Sequence, residues 1–170
     1  MIRDRQLNMM DRDGQLAARE RRRDMTEQEI RQKLQDWADA WNSGDEKRIE
    51  DFYAKDVVLY QAPVSRSLTG REHLIARLRD FQGLSEEGKL AVRNTYVDGN
   101  TGIIEVSVDG TNTGPFLEYP PTNSPFHLET CLIMEFAGDK IIKHTTYLDT
   151  ASVLRALGHI EIKGTRTEAA

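Results

Sequence analysis

A single cysteine, Cys131, excludes an intramolecular disulfide, and no apolar run approaches the ~20 residues of a membrane-spanning helix; Cys131-Leu132-Ile133-Met134 is typical of the longest. The apolar stretch that would follow the basic residues of a secretory signal is also lacking near the N-terminus, so a reducing, cytoplasmic setting is expected. Basic charge is not in excess. Lys and Arg number 23 against 28 Asp and Glu, a net charge of -5 with the signs interspersed, so neither nucleic acid nor a membrane is expected as a partner. No His, Asp or Glu cluster has metal-ligand spacing, and no metal is expected.

What is present suits one domain: 170 residues with 38% hydrophobic content can bury one core. Residues 1–25 read as a charged extension, with Arg3, Arg5, Arg12, Arg19, Arg21, Arg22 and Arg23 among Asp, Gln and Asn. Residues 26–160 form the expected domain, and 161–170 a tail.

Thr26 and Glu29 have the spacing of a capping box, and Ile30, Leu34, Trp37, Ala38 and Trp41 follow at helical intervals, which predicts a helix from Glu27 to Asn42. Ile49, Phe52 and Tyr53 mark a short second helix, and Val57 to Tyr60 a strand bounded by Pro63. Thr69-Gly70-Arg71-Glu72 opens a third helix whose stripe is Leu74, Ile75, Leu78 and Phe81, ending near Gly83. Extended segments follow: 90–96 and 101–108 around Asp98-Gly99-Asn100, then 126–136 and 140–148 around Gly138-Asp139. A short helix over 150–157 closes the domain. Helices in the first half and strands in the second predict an α+β fold, with helices on one face of a curved antiparallel sheet that can wrap a pocket.

Gly110-Thr111-Asn112-Thr113-Gly114-Pro115-Phe116 and Pro120-Pro121-Thr122-Asn123 resemble the "T-H-T-G-x-F … P-P-T-G" signature of SnoaL-like polyketide cyclases. Lys140-Ile141-Ile142-Lys143-His144, Asp149 and Leu154 to Gly158 are similar to that family's "G-K-I-V-E-H-W-x-x-x-D … L-x-x-L-G" ending. Ala40 to Asp45 and Leu68 to Glu72 fit in order and spacing, so the resemblance covers 26–158. Asn112 stands where the family has histidine, and Thr145 where it has tryptophan. The resemblance implies a cone of the nuclear transport factor 2-like, or cystatin-like, kind: a curved antiparallel sheet around N-terminal helices, enclosing a pocket. It further implies a homodimer and an aspartate at the end of the last strand that serves as general acid/base in a ring closure with no metal or cofactor. Asp149 matches that position.

Period-two alternation on the last strand puts Ile141, Lys143, Thr145, Tyr147 and Asp149 on one face, and Ile142, His144, Thr146 and Leu148 on the other. An inward Asp149 would have its carboxyl pKa raised by desolvation, into the range useful for taking a proton beside a carbonyl. The alternative is an Asp149 that only N-caps the closing helix. Tyr60, Phe116 and Tyr147 are the expected substrate contacts, and Asn112 either donates to a substrate carbonyl or shapes the turn before Gly114. His144, on the opposite face, is expected to be exposed or at a subunit interface. His127, Glu129 and Glu135 read as a solvated strand face, and Cys131 as a buried structural thiol.

The expected function is therefore cofactor-independent cyclisation or isomerisation of a hydrophobic carbonyl compound. Two alternatives stand beside it: a non-catalytic binding or dimerisation module of the same fold, and an epoxide hydrolase or dehydratase, which would need a second acid and an arginine beside Asp149.

Overall fold

A computed structural model describes residues 24–161. The expected N-terminal extension and C-terminal tail lie almost wholly outside the described residues.

Helix α1 (Glu27–Ser43) starts on the expected capping box: the Thr26 hydroxyl accepts from the Glu29 amide, and the Glu29 carboxylate accepts from the Thr26 amide at 2.7 Å. It stops at Gly44, whose φ of 68° is a left-handed C-cap that glycine adopts without strain. Its stripe of Ile30, Leu34, Trp37, Ala38 and Trp41 is buried. Helix α2 (Glu46–Glu50) is capped by Asp45 and ends earlier than the apolar spacing suggested, because Tyr53 already belongs to strand β1 (Tyr53–Gln61). Strand β2 (Arg66–Thr69), which the sequence pattern did not show, folds back on β1. Then come α3 (Glu72–Leu84), β3 (Lys89–Asp98), β4 (Thr101–Thr111), β5 (Pro125–Ala137), β6 (Lys140–Leu148) and α4 (Thr150–Ala156).

The six strands form one sheet in the order β2-β1-β6-β5-β4-β3. Every neighbouring pair is antiparallel except β1 and β6, which run parallel. This closure brings the start of the strand region against its end. It places Leu59 opposite His144 and Tyr60 opposite Thr145.

Helices α1 and α3 cover one face of the sheet. On that inner face Ile104, Val106, Leu132, Met134 and Ile141 are buried against the helical stripes. Helix and sheet approach so closely that a Cβ on Gly102 would lie 3.0 Å from both Ile30 Cγ2 and Leu34 Cδ1. Burial of this apolar surface is the main force that fixes the strand register, since a slip of one residue would turn each strand inside out.

Strand β6 carries an irregularity with consequences for function. Phe136 pairs with Ile141 but Glu135 pairs with Lys143, so Ile142 is an extra residue that bulges out, half exposed. The strict alternation expected for this strand therefore breaks: Ile141 joins His144 and Thr146 on the inner side. Lys143, Thr145 and Tyr147 remain on the outer side.

Candidate active site

Inside the cone, three side chains from three elements are linked in a row. Trp37 on α1 donates its indole N–H to the Tyr53 hydroxyl at 2.8 Å, and that hydroxyl lies 2.8 Å from His144 Nδ1. All three side chains are buried, and the Tyr53 and His144 rings stack with centroids 5.9 Å apart at 8°. Local structure dictates the meeting: Tyr53 and His144 face inward from adjacent strands, and Trp37 lies in the middle of the α1 stripe.

The chain of donors fixes the histidine tautomer. An indole N–H can only donate, so the phenol oxygen accepts from Trp37, and the arrangement that leaves no buried hydroxyl hydrogen unpartnered has the phenol donating to His144 Nδ1. His144 then carries its proton on Nε2. Burial, aided by the nearby Arg77 charge, pushes the imidazole pKa down to about 3, so the ring is neutral at physiological pH. Burial likewise pushes the Tyr53 phenol well above its ordinary value, which keeps it a donor.

Arg77 completes the group. From α3 its Nη1 reaches Thr146 Oγ1 at 3.5 Å, a long contact, on the inner face of β6 two residues beyond His144. Its charge is felt at both Tyr53 and His144, and burial lowers its own pKa. Among the described residues no carboxylate stands within ion-pair distance of it. Arg77 Nη2 and His144 Nε2 are both buried and have no hydrogen-bond partner. Unpartnered buried polar atoms are rare, and the other such side-chain atom among the described residues is His159 Nε2. Around them Trp37, Trp41 and Phe81 form an aromatic wall, with centroid spacings of 5.2 and 6.0 Å.

The residues expected to form the site are placed elsewhere. Asp149 is exposed and is the N-cap of α4, accepting from the Ala151 and Ser152 amides at 3.0 and 3.2 Å and from the Ser152 hydroxyl at 2.7 Å. Those hydrogen bonds, Ser152 first, hold its carboxyl below the usual range rather than raising it, the reverse of the expected desolvation effect. Tyr147 is 51% exposed on the outer face, and Tyr60, paired with Thr145, shares that face. Phe116 is half-buried in the loop after β4, where it bridges to Tyr119.

Asn112, also in that loop, is fully buried but already engaged. Its amide donates to the Gly114 carbonyl at 2.6 Å and accepts from the Thr122 amide and hydroxyl at 2.9 and 3.1 Å. It therefore ties the two ends of the 112–122 loop together, which is the turn-shaping role and not the substrate-donor role. Asn112→Ala leaves these buried partners unsatisfied and should cost on the order of 2 kcal/mol of stability, measured by urea unfolding.

An open depression of about 400 Å³ lies over β4, β5 and the end of β6, and Arg93, Glu105, Glu129, Cys131, Tyr147 and Asp149 are among its lining residues. Tyr147 and Asp149 do come together there. Arg93, Glu129 and Asp149 line it without a hydrogen bond or ion pair between them. The outer face is solvated as expected for His127, Glu129 and Glu135: His127 Nδ1 lies 2.7 Å from Asp109, and Lys143 pairs with Glu135 at 2.7 Å. Cys131 is half-buried on this face rather than inside the core.

The interior group escaped the sequence reading for identifiable reasons. The apolar spacing of Ile49, Phe52 and Tyr53 is that of a helix, and period-two alternation alone does not say which face of β6 lies inward. Arg77 did leave a signal. It lies three residues after Leu74 and four before Phe81, so it is a charge set on an apolar stripe.

This combination of an open, strongly bent sheet, helices filling its concave side and polar groups buried within defines a nuclear transport factor 2-like cone. The chain belongs to the SnoaL-like polyketide cyclase family, whose model matches residues 31–157. Several solved structures share the fold. AclR from Streptomyces galilaeus superposes with a TM-score of 0.73 at 16% identity, over 82% of this chain and 91% of that one. TsrD from Streptomyces laurentii gives 0.71 at 18%, over 80% and 99%. A ketosteroid isomerase-like protein from Catenulispora acidiphila, solved with trimethylamine, gives 0.62 at 21%, over 74% and 92%. A comparison with curated proteins gives no match. Among the described residues no helix is long and apolar enough to cross a membrane, and no group of His, Cys, Asp or Glu is arranged to hold a metal ion.

Proposed function

We propose that the chain is an enzyme of the cyclase or isomerase type that takes a hydrophobic carbonyl compound into the cone and works on it with its own side chains. The observation that carries this reading is the pair of buried, unpartnered nitrogens, His144 Nε2 and Arg77 Nη2. When the proton on the carbon beside a carbonyl passes to water or to a second oxygen of the substrate, or an aldol bond forms, negative charge gathers on the carbonyl oxygen. Two fixed donors in a water-poor interior stabilise that charge without reorganising. A neutral imidazole suits this task, because its one N–H can donate to the oxygen while the ring adds no second positive charge beside Arg77.

In this reading Asp149 is a helix cap and the oxygen of the substrate is held by His144 and Arg77. Family membership supports the reaction class. The test is a thermal-shift panel of hydrophobic ketones and aldol-type precursors. A ligand that binds only the native state must raise its unfolding temperature. Wild-type protein is expected to respond to part of the panel, and Arg77→Met to lose most of that response. A panel that moves neither protein, or moves both equally, would contradict the reading.

A further inference from the structure

We propose that the arginine-rich N-terminal segment, residues 1–23, docks on the outer face of its own sheet, with its cations against the acidic lining of the open depression over β4, β5 and the end of β6. The inference is independent of the interior group and of the functional reading above.

The outer face leaves apolar surface in the open. Strand register sets Tyr96, Ile103, Ile133, Thr145 and Tyr60 in one row across five strands, and Tyr96 is 50% exposed. The next row is Asn94, Glu105, Cys131 and Tyr147, and Tyr147 is also exposed. A sheet face of this kind invites a cover.

Charge says which cover fits. Glu105, Glu129 and Asp149 line the depression against one cation, Arg93. Asn94 donates to Glu105 at 2.7 Å and His127 Nε2 lies 3.6 Å from Glu129, but among the described residues neither carboxylate pairs with a Lys or an Arg. Residues 1–23 hold seven Arg and no Lys against four Asp and Glu, a net charge of +3, so on a chain of net charge -5 the remaining residues carry -8. The two parts of the chain are therefore of opposite sign, and each is the other's nearest counter-charge.

Reach agrees with charge. The Asp24 carboxylate accepts from the Asn100 side chain at 3.0 Å, which fixes the end of the segment at the β3–β4 turn. Glu105 lies five residues along β4 from Asn100, roughly 17 Å at the rise of a strand. Arg19 is also five residues from Asp24, and an extended chain of that length spans about the same distance. Arg12 has length to spare for Glu129 and Asp149 on the neighbouring strands. A segment tethered this close acts at an effective concentration of about millimolar, so ion pairs that are each weak in water suffice together.

The test uses the whole chain with a nitroxide on Ala17→Cys, the native thiol being removed by Cys131→Ser and the fold checked by circular dichroism. Backbone amide signals of the sheet are read by NMR. In about 0.01 M salt, where charges act over about 30 Å, the amides of Glu105, Glu129 and Tyr147 are expected to lose most of their intensity to the label. About 1 M salt shortens that range to about 3 Å and should restore them, as should Glu105→Gln with Glu129→Gln, or glutamine in place of Arg12, Arg19, Arg21, Arg22 and Arg23. A mixture of spin-labelled chains with isotope-labelled chains that carry no spin label should show no loss. Signal loss confined to the 98–100 turn, or loss unmoved by salt and by both sets of variants, would overturn the inference. Equal loss in the mixture would overturn it too, because the segment would then lie on a second copy.

Discussion

Lowering the pH from about 6.5 towards 4 is expected to weaken the wild-type fold by about 1.4 kcal/mol per pH unit beyond any loss seen in His144→Gln. The sign follows from burial. His144 is 3% exposed and its pKa in the folded chain is pushed down to about 3, whereas an unfolded histidine titrates near 6.5. Between those values the unfolded chain takes up a proton that the folded chain refuses, so stability falls as pH falls and is regained as pH rises. Gln at this position can still accept from the Tyr53 hydroxyl but has nothing to titrate. Asp149 and other carboxylates with lowered pKa values act in the same direction at lower pH, but they are common to both proteins and cancel. Urea unfolding of the two proteins across this window checks the slope. Parallel pH profiles would show that the buried imidazole is protonated in the fold.

The second large effect concerns rate. With a ketone substrate found by the thermal-shift panel, Arg77→Met and His144→Gln are each expected to lower kcat by about 10²- to 10³-fold, the usual loss when one donor to a developing oxyanion is removed. The Asp149→Asn variant keeps a side chain able to cap α4 and should lose far less. If Asp149→Asn abolished turnover while Arg77→Met left it intact, the proton work would belong at the outer end of β6 instead. Steady-state kinetics of the three variants on one substrate distinguish these outcomes.

Much of the fold was legible because local chemistry and tertiary packing agree there. The Thr26–Glu29 box, the Ile30–Leu34–Trp37–Trp41 stripe and the turns at Gly99 and Gly138 each mark an element that forms where its pattern says. The family resemblance along 26–158 reinforced this, and the family model matches nearly the same span. What was not legible is what depends on contacts distant in sequence. Nothing local announces that β1 pairs in parallel with β6, yet that pairing puts Tyr53 beside His144 across 91 positions of the chain.

The candidate site was harder to read for a related reason. A single bulge at Ile142 moves Ile141 to the other side of the strand, and period-two counting has no means of seeing it. Which face of β6 lies inward is decided by the helices packed on it, not by β6 itself. The alternation correctly kept Tyr147 and Asp149 together, but together on the outside. Asn112 shows the converse case. Its place in a motif drew attention to it, and the structure gives that residue a complete set of partners within its own loop.

Nitrogen NMR of the His144 imidazole, in protein labelled at histidine, reports directly which ring nitrogen carries hydrogen. The account predicts a neutral ring with its proton on Nε2 from about pH 8 down to about pH 5, and loss of that fixed tautomer in Tyr53→Phe. A proton on Nδ1, or a ring that titrates near 6.5, would contradict it.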